Sequence, residues 1–306
     1  MAQLIDGRTL AEVIRKEVAA SAAEFHSKFS ERPRLAAILV GHDPASHIYV
    51  RNKIKACLQV GIDSESFELP ADATEEQLLE LISRLNGFDG IDGILLQLPL
   101  PPHINKTLAL DAISPAKDVD GLHPANVGLL VQGRAKLVAC TPLGVIEALH
   151  RYEVPLTGKN AVIVGRSDLV GKPLALLLMH ENATVTICHS KTVNLPHFVS
   201  QSEIVIAAMG KPAFLPPDWI RPGAVIVDVG INVLKSEEEA VRIFGAGSRK
   251  VEDFRKGKSV LIGDVHPDAY EKSSHYTPVP GGIGPLTIAM LLRNTLIAAQ
   301  MRRSKI

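Results

Sequence analysis

AVIVGRSDLVGKPLALLLMHENATVTICHSKT, residues 161–192, reads as one βαβ unit. The apolar run Ala161–Val164 is a buried parallel strand. Gly165, Arg166 and Ser167 make a polar turn. A helix follows Gly171 through Leu174, Leu177 and Leu178, and Glu181-Asn182 breaks it. The β-branched run Thr184–Ile187 is the next strand. A turn of this kind offers free N–H groups and a helix N-terminus to an anion. The spacing is Gly165-x-Ser167-x-x-x-Gly171 rather than G-x-G-x-x-G, so the glycines alone also fit an ordinary βα turn.

The end of the second strand carries more information. An NAD site places an acid there to hold the ribose hydroxyls. Here the chain reads Cys188-His189-Ser190-Lys191-Thr192, hydroxyls and cations with no acid. That chemistry suits a 2′-phosphate, and Arg166 could add a two-pronged guanidinium contact. The expectation is an NADP site; the plainer reading is a solvated polar loop.

The chain has 306 residues, enough for one large or two moderate domains, and 46% are hydrophobic. Its 33 basic and 33 acidic residues cancel, which argues against a nucleic-acid surface. No apolar run approaches membrane-spanning length. MAQLIDGRTL lacks the charged and apolar regions of a signal peptide, so a cytoplasmic location is expected. Cys57, Cys140 and Cys188 are too few and scattered for a disulfide framework or zinc site, and read as packing residues.

From the N-terminus, Asp6–Phe29 reads as an amphipathic helix and Arg34–Val40 as a buried strand. Ser46 then caps a helix that runs to Gly61. Ser46, Tyr49 and Lys53 share one face of it. If that face lines a cleft, desolvation would make the lysine amine a usable base; an exposed lysine on an amphipathic helix fits the pattern equally. Glu65–Leu69 is a strand, and Thr74-Glu75-Glu76-Gln77 is a capping box for a helix ending near Asn86. Ile91–Leu98 is a strand interrupted by Gln97, whose amide is met either by backbone or by a ligand. Lys117-Asp118-Val119-Asp120-Gly121 is a polar turn in which Asp120 could accept from a ligand's amino or amide group. Thr141 and Pro142 open the next helix.

Beyond the βαβ unit, Glu203–Ala208 and Ala224–Val229 are strands ending in Gly210 and Gly230, at the same sheet edge as Gly165. Residues 235–260 read as charged and irregular. Leu261–Val265 is a strand. Thr277–Pro285 (TPVPGGIGP) is a rigid loop that a flat ligand could approach closely, and a last helix runs from Leu286 to about Met301. The expectation is an α/β chain with an N-terminal substrate domain (1–144 and 279–306) and a Rossmann-like, doubly wound dinucleotide domain (145–278). A cleft between them is the default ligand site.

Taken together, SHIYVRNK (46–53), DGILLQLPLP (93–102), KDVDG (117–121), CTPLG (140–144), GRSDLVGKP (165–173), CHSKT (188–192), DVGIN (228–232), GDV (263–265) and TPVPGGIGP (277–285) resemble the bifunctional methylenetetrahydrofolate dehydrogenase/methenyltetrahydrofolate cyclohydrolase family, FolD type. The resemblance spans nearly the whole chain. Two departures are small: Ile283 stands where the family usually has Val, and His266 where Asp or Asn is more usual.

The resemblance implies NADP-dependent oxidation of 5,10-methylenetetrahydrofolate and hydrolysis of the product to 10-formyltetrahydrofolate, with no metal. It makes Lys53 the central group of the hydrolysis, positioned by Tyr49 and hydrogen-bonded by Gln97, and gives Asp120 the pterin ring. Ser46, Tyr49, Leu98, Pro99, Asp120 and Pro280, Gly281, Gly282, Ile283 and Gly284 would border the folate. Gly165, Arg166, Ser167, His189, Ser190, Gly230 and Ile231 would hold the dinucleotide. It also implies a homodimer. Two other readings stay open: a single-activity NAD(P)-dependent dehydrogenase, and a dinucleotide-binding protein without turnover.

Overall fold

A computed structural model describes residues 2–304. In chain order its elements are β1 (Gln3–Leu4), α1 (Gly7–Phe29), β2 (Arg34–Val40), α2 (Pro44–Gln59), β3 (Asp63–Leu69), α3 (Glu75–Gly87), β4 (Gly93–Leu96), α4 (Lys106–Asp111), α5 (Pro124–Val131) and α6 (Cys140–Arg151). There follow β5 (Asn160–Val164), α7 (Gly171–His180), β6 (Thr184–Cys188), α8 (Leu195–Gln201), β7 (Ile204–Ala207), β8 (Val225–Asp228), β9 (Asn232–Val233), α9 (Glu237–Phe244), α10 (Arg249–Arg255), β10 (Leu261–Ile262), β11 (His275–Tyr276) and α11 (Ile283–Arg303).

The chain forms two compact units. The N-terminal unit comprises Ala11–Cys140 and the chain from Thr287 onward; the C-terminal unit comprises Thr141–Leu286 and the chain up to Leu10. These borders depart from the sequence-based ones at 144/145 and 278/279. The first residues also change unit: β1 joins β11 through Gln3–His275 and Leu4–Tyr276, which ties them to the C-terminal unit. Two-residue strands carry no sequence periodicity, so neither was foreseen.

The N-terminal unit has a three-stranded parallel sheet in the order β3-β2-β4. RLAAILV of β2 lies in the middle and is almost wholly buried, which is why it reads as a continuous apolar run. Ile38, Leu78, Ile82, Ile91, Ile94 and Leu96 form the core between that sheet and α3. The expected capping box of α3 is present: Thr74 Oγ accepts from Gln77 N and Gln77 Oε1 accepts from Thr74 N. The cap of α2 is Asp43, not Ser46. Asp43 Oδ2 accepts from Ser46 N (2.8 Å) and Ser46 Oγ (2.7 Å), with Pro44 preset for the first turn. Gly61, at φ +78°, lies just beyond the helix end. Strand β4 is shorter than expected, and Gln97 follows its carboxyl end.

The C-terminal unit has a six-stranded parallel sheet in the order β1-β11-β8-β7-β5-β6. From β5 the chain goes to β6 on one side and then to β7 on the other. The carboxyl end of β5 is therefore the switch point of a doubly wound sheet, where such folds bind ligands. Gly165 is the residue that follows it.

Residues 235–260 are not irregular. Helices α9 and α10 are capped by Ser236 and Ser248, and three acids fill the first turn of α9. Leu234, Ala240, Ile243, Val251, Val260 and Ile262 give them a small core beside the antiparallel β9–β10 pair. Each helix is too short for a convincing apolar stripe, and the charges on the outer faces dominate the sequence. Helix α6 begins at Cys140 rather than after Thr141, and α11 begins at Ile283 rather than Leu286.

Candidate active site and dinucleotide site

In the N-terminal unit, α2, the end of β4 and the loop after residue 116 place one cluster of polar groups. Lys53 is 6% exposed, so it is not the solvated lysine its helix pattern also allowed. Its Nζ donates to Gln97 Oε1 (3.1 Å) and lies 4.8 Å from the Tyr49 ring centroid. Gln97 Nε2 donates to Leu98 O (2.7 Å), which turns its carbonyl oxygen to the amine. The amide of Gln97 is thus met within the protein: its donor goes to backbone and its acceptor to Lys53.

Asp120 completes the cluster. Burial raises its carboxyl above the usual carboxylate range, against the pull of the Lys53 charge. The Tyr49 hydroxyl is raised first by burial, then by the Asp120 charge, although 36% of the residue stays exposed. Cys140 Sγ donates to Val119 O (3.3 Å), beside Asp120. Burial and the Asp120 charge push that thiol well up, so it is no nucleophile. Leu98 is half-buried and Pro99 exposed, joined by a cis peptide bond. Ser46 is buried, its hydroxyl donated to Asp43.

KDVDG is an anchoring device as well as a source of Asp120. Ile94 N donates to Lys117 O (2.7 Å), so the segment begins as an edge beside β4. Lys117 Nζ donates to Leu85 O (2.9 Å), Asn86 O (2.8 Å) and Phe88 O (2.8 Å), capping the carboxyl end of α3 with a cation. Asp118 Oδ2 accepts from His123 N (2.8 Å) and Asn126 Nδ2 (2.9 Å), which holds the start of α5. Gly121 has φ +70°, and a side chain there would run into the backbone of Val138 and Ala139. Asn294 Nδ2, from α11, binds Val119 O and Val138 O.

In the C-terminal unit a cavity of about 300 Å³ opens at the carboxyl edge of β5. Gly165, Arg166, Ser167, His189 and Ser190 line it, so five of the seven expected dinucleotide residues come together. Gly165 sits at φ +140°, and any Cβ would meet Ala208 O; one on Gly171 would meet Gly165 O. These two glycines let the turn fold against its neighbours. Ser167 Oγ accepts from Val170 N (3.2 Å), so part of the α7 N-terminus is already occupied. Gly230 and Ile231 are not among the lining residues. Gly230 is needed because Asp264 packs where its Cβ would be. Pro280, Gly281, Gly282, Ile283 and Gly284 also lie in the C-terminal unit, where Gly284 approaches Ile231.

Sequence reading missed two buried carboxylates that order the loops around this cavity. Asp264 accepts from Met209 N (2.6 Å), Gly210 N (2.9 Å), Lys211 N (2.8 Å) and Asn232 Nδ2 (2.9 Å). Asp228 accepts from Gly230 N, Asp264 N and Val265 N, each at 2.9 Å, and from the Tyr270 hydroxyl (3.1 Å). Burial, reinforced by Asp264, pushes the Asp228 carboxyl up to about 7 despite those donors.

Residues 5–120 match the family described as tetrahydrofolate dehydrogenase/cyclohydrolase, catalytic domain, and residues 139–303 match its NAD(P)-binding domain. The chain belongs to the tetrahydrofolate dehydrogenase/cyclohydrolase family. A relative from Koribacter versatilis, called bifunctional protein FolD, is 50% identical over 99% of this chain and 98% of its own. The crystal structure of the bifunctional FolD enzyme from Campylobacter jejuni superposes with a TM-score of 0.89 at 43% identity, covering 99% of this chain and 100% of that one. The Trypanosoma brucei dehydrogenase-cyclohydrolase, solved with NADP cofactor and an inhibitor, gives 0.88 at 39% identity over 99% and 98%.

The family's NAD(P)-binding match covers the cavity at β5, and the residues there fit a phosphorylated dinucleotide. Among the described residues lining it none is acidic, while Arg166 and Lys211 are cations. Among the described residues no group of three or more His, Cys, Asp or Glu side chains could hold a metal ion, and no helix is long and apolar enough to cross a membrane.

Proposed function

We infer that this chain is a bifunctional enzyme of one-carbon metabolism. It oxidises 5,10-methylenetetrahydrofolate to the 5,10-methenyl cation with NADP and hydrolyses that cation to 10-formyltetrahydrofolate. The observation that carries the reading is the buried Lys53 amine held on Gln97 Oε1, with Tyr49 and Asp120 around it, in the unit matching the family's catalytic domain.

In the oxidation the methylene carbon loses a hydride while a neighbouring folate nitrogen lone pair forms the amidinium cation. NADP, when bound, supplies the hydride acceptor. No protein group need take a proton in that step. In the hydrolysis, water oxygen bonds to the methenyl carbon and gives up a proton. The bond from that carbon to N5 then breaks, N5 is protonated, and the formyl group remains on N10, with one net proton released. Lys53 is the group placed to take the proton from water and return one to N5. Gln97 fixes Nζ, and the Tyr49 ring closes one side of the amine. Asp120 holds the pterin amino and amide groups by accepting hydrogen bonds.

Ser46, Leu98 and Pro99, and Pro280 to Gly284 from the other unit, are assigned to the folate. Gly165, Arg166, Ser167, His189 and Ser190, with Gly230 and Ile231, are assigned to the dinucleotide. The reading extends to a cytoplasmic homodimer, which family resemblance supports; light scattering of the purified chain and cell fractionation test those two points.

The decisive assay supplies methylenetetrahydrofolate with NADP, then with NAD, and follows reduced nicotinamide and the methenyl cation separately after acid quench. Reduction with decay of the cation faster than its spontaneous rate is expected. Decay at the spontaneous rate leaves a dehydrogenase only. No nicotinamide signal with either cofactor removes the enzyme reading.

A further inference from the structure

The cavity at β5 contains a cation that the sequence motifs do not single out. Lys211 follows the Gly210 turn after β7 and lines the cavity with Arg166, Ser167, His189 and Ser190. Its Nζ lies 5.0 Å from the centroid of the Phe214 ring, another lining residue. Among the described residues it makes no ion pair with a carboxylate, a state it shares with most of the chain's lysines.

Its backbone is held unusually firmly for an exposed residue. The Asp264 carboxylate takes the N–H groups of Met209, Gly210 and Lys211, and Asp264 is itself fully buried. That clamp commits the turn's donors to the protein interior, so Lys211 meets the cavity with its side chain. The aromatic face beneath the ammonium limits where the charge can swing. The remaining walls, Val164, Leu195, Ala208, Met209 and Phe214, are apolar and suited to a flat base. The cavity thus combines apolar walls for a base with cations contributed by two different strand ends.

We propose that Lys211 is a second fixed cation for the 2′-phosphate of the dinucleotide, so that selection of NADP over NAD is divided between Arg166 on the β5 turn and Lys211 on the β7 turn. The inference rests on the dinucleotide reading given above. Arg166 supplies a flat fork and Lys211 a compact point charge. Two cations on separate turns surround a dianionic group better than one, and an unphosphorylated ribose gives Lys211 no partner.

The test is equilibrium binding to the full chain, by calorimetry, of NADP, NAD, 2′,5′-ADP and 5′-AMP. Wild type, Lys211→Ala, Lys211→Arg and Arg166→Ala are compared, with thermal melts to confirm folding. Lys211→Ala is expected to weaken NADP and 2′,5′-ADP about tenfold, the loss of one charge-assisted contact, and NAD and 5′-AMP less than about twofold. Lys211→Arg restores most of the loss, and the salt dependence of NADP binding falls in Lys211→Ala. Equal weakening of the phosphorylated and unphosphorylated ligands, or no weakening, overturns the assignment. If wild type prefers NADP and Lys211→Ala keeps the same NADP/NAD ratio, only the Lys211 proposal fails. If wild type binds neither NADP nor 2′,5′-ADP, the dinucleotide reading fails with it.

Discussion

Replacing Lys117 by methionine tests whether the KDVDG loop is held by its first residue. The ammonium donates to three carbonyls at the end of α3, at 2.8–2.9 Å, and lies in a largely buried site. Methionine keeps most of the apolar stem and offers no donor. Leu85 O and Phe88 O keep backbone donors in Phe88 N and Ile91 N, so the main loss is at Asn86 O; a buried carbonyl left without its donor costs about 1–3 kcal/mol, part of which is offset because the ammonium no longer has to be desolvated. Desolvation is a real cost here: burial, then the Arg302 charge, lowers the Lys117 pKa. The net loss is expected to be about 1–3 kcal/mol, because the variant leaves a carbonyl and no charge unpaired. For a unit of this size that lowers the melting temperature by about 2–12 °C.

Differential scanning calorimetry on the full chain measures the loss directly. A second readout separates anchoring from general damage. Lys117 O bonds Ile94 N, and Asp120 lies three residues on, so loosening the loop displaces the carboxylate assigned to the pterin. The KM for methylenetetrahydrofolate should therefore rise several-fold below the melting range, while NADP affinity, set by residues of the C-terminal unit, stays within about twofold. A melting temperature within about 1 °C of wild type would refute the capping role. Equal loss of folate and NADP affinity would refute the local route to Asp120.

Lys53→Met should abolish cyclohydrolase turnover with little change in the melting curve; hydrolysis of methenyltetrahydrofolate at the wild-type rate removes Lys53 from the chemistry. Arg166→Ala should raise the KM for NADP more than that for NAD, and equal effects mean that Arg166 does not read the phosphate. Gly165→Ala places a Cβ against Ala208 O at a φ of +140°, so it should cost about 2–5 kcal/mol and most of the dinucleotide affinity; a variant that melts and binds like wild type would show that the turn relaxes freely. Asp228 holds its proton up to about pH 7 when folded, against an ordinary value of 3.8, so its stabilising contribution is complete below about pH 4 and is lost as pH rises to about 7. The melting temperature of wild type minus that of Asp228→Asn should fall across that window and flatten above it, and a constant difference would contradict the assignment.

The long periodic elements were legible because their patterns report burial on one period. RLAAILV is a central strand buried from Leu35 to Val40, and the capping box at Thr74 has a fixed spacing. Short elements were not: β1 and β11 have two residues each and exist through pairing across most of the chain. Asp43 was passed over for Ser46 because both are good capping residues, and only the following Pro44 separates them. Helices α9 and α10 were hidden because their apolar residues serve a core of six side chains, too few to outweigh the surrounding charge.

The functional residues divide along the same physical line. Arg166 and Ser190 could be found from the sequence because they flank strands that announce themselves, and position after a parallel strand is itself a signal. Lys211 has that signal too, since it follows the β7 run and Gly210, but a lysine in a turn is usually solvated and nothing nearby in sequence marks it. Its significance depends on Asp264, fifty-three residues away, whose side chain takes its backbone N–H. Asp120 could be read from the sequence as a ligand acceptor or as part of a plain turn, because an acid before glycine fits any turn, and only the resemblance gave it the pterin. What sets it apart is tertiary: Lys117 caps one helix, Asp118 holds another, and the residue between Val119 and Gly121 is left facing Lys53 and Tyr49. The neighbouring acid and lysine in KDVDG thus have opposite duties to Asp120, and the motif is a unit because the anchors and the group they present cannot be moved independently.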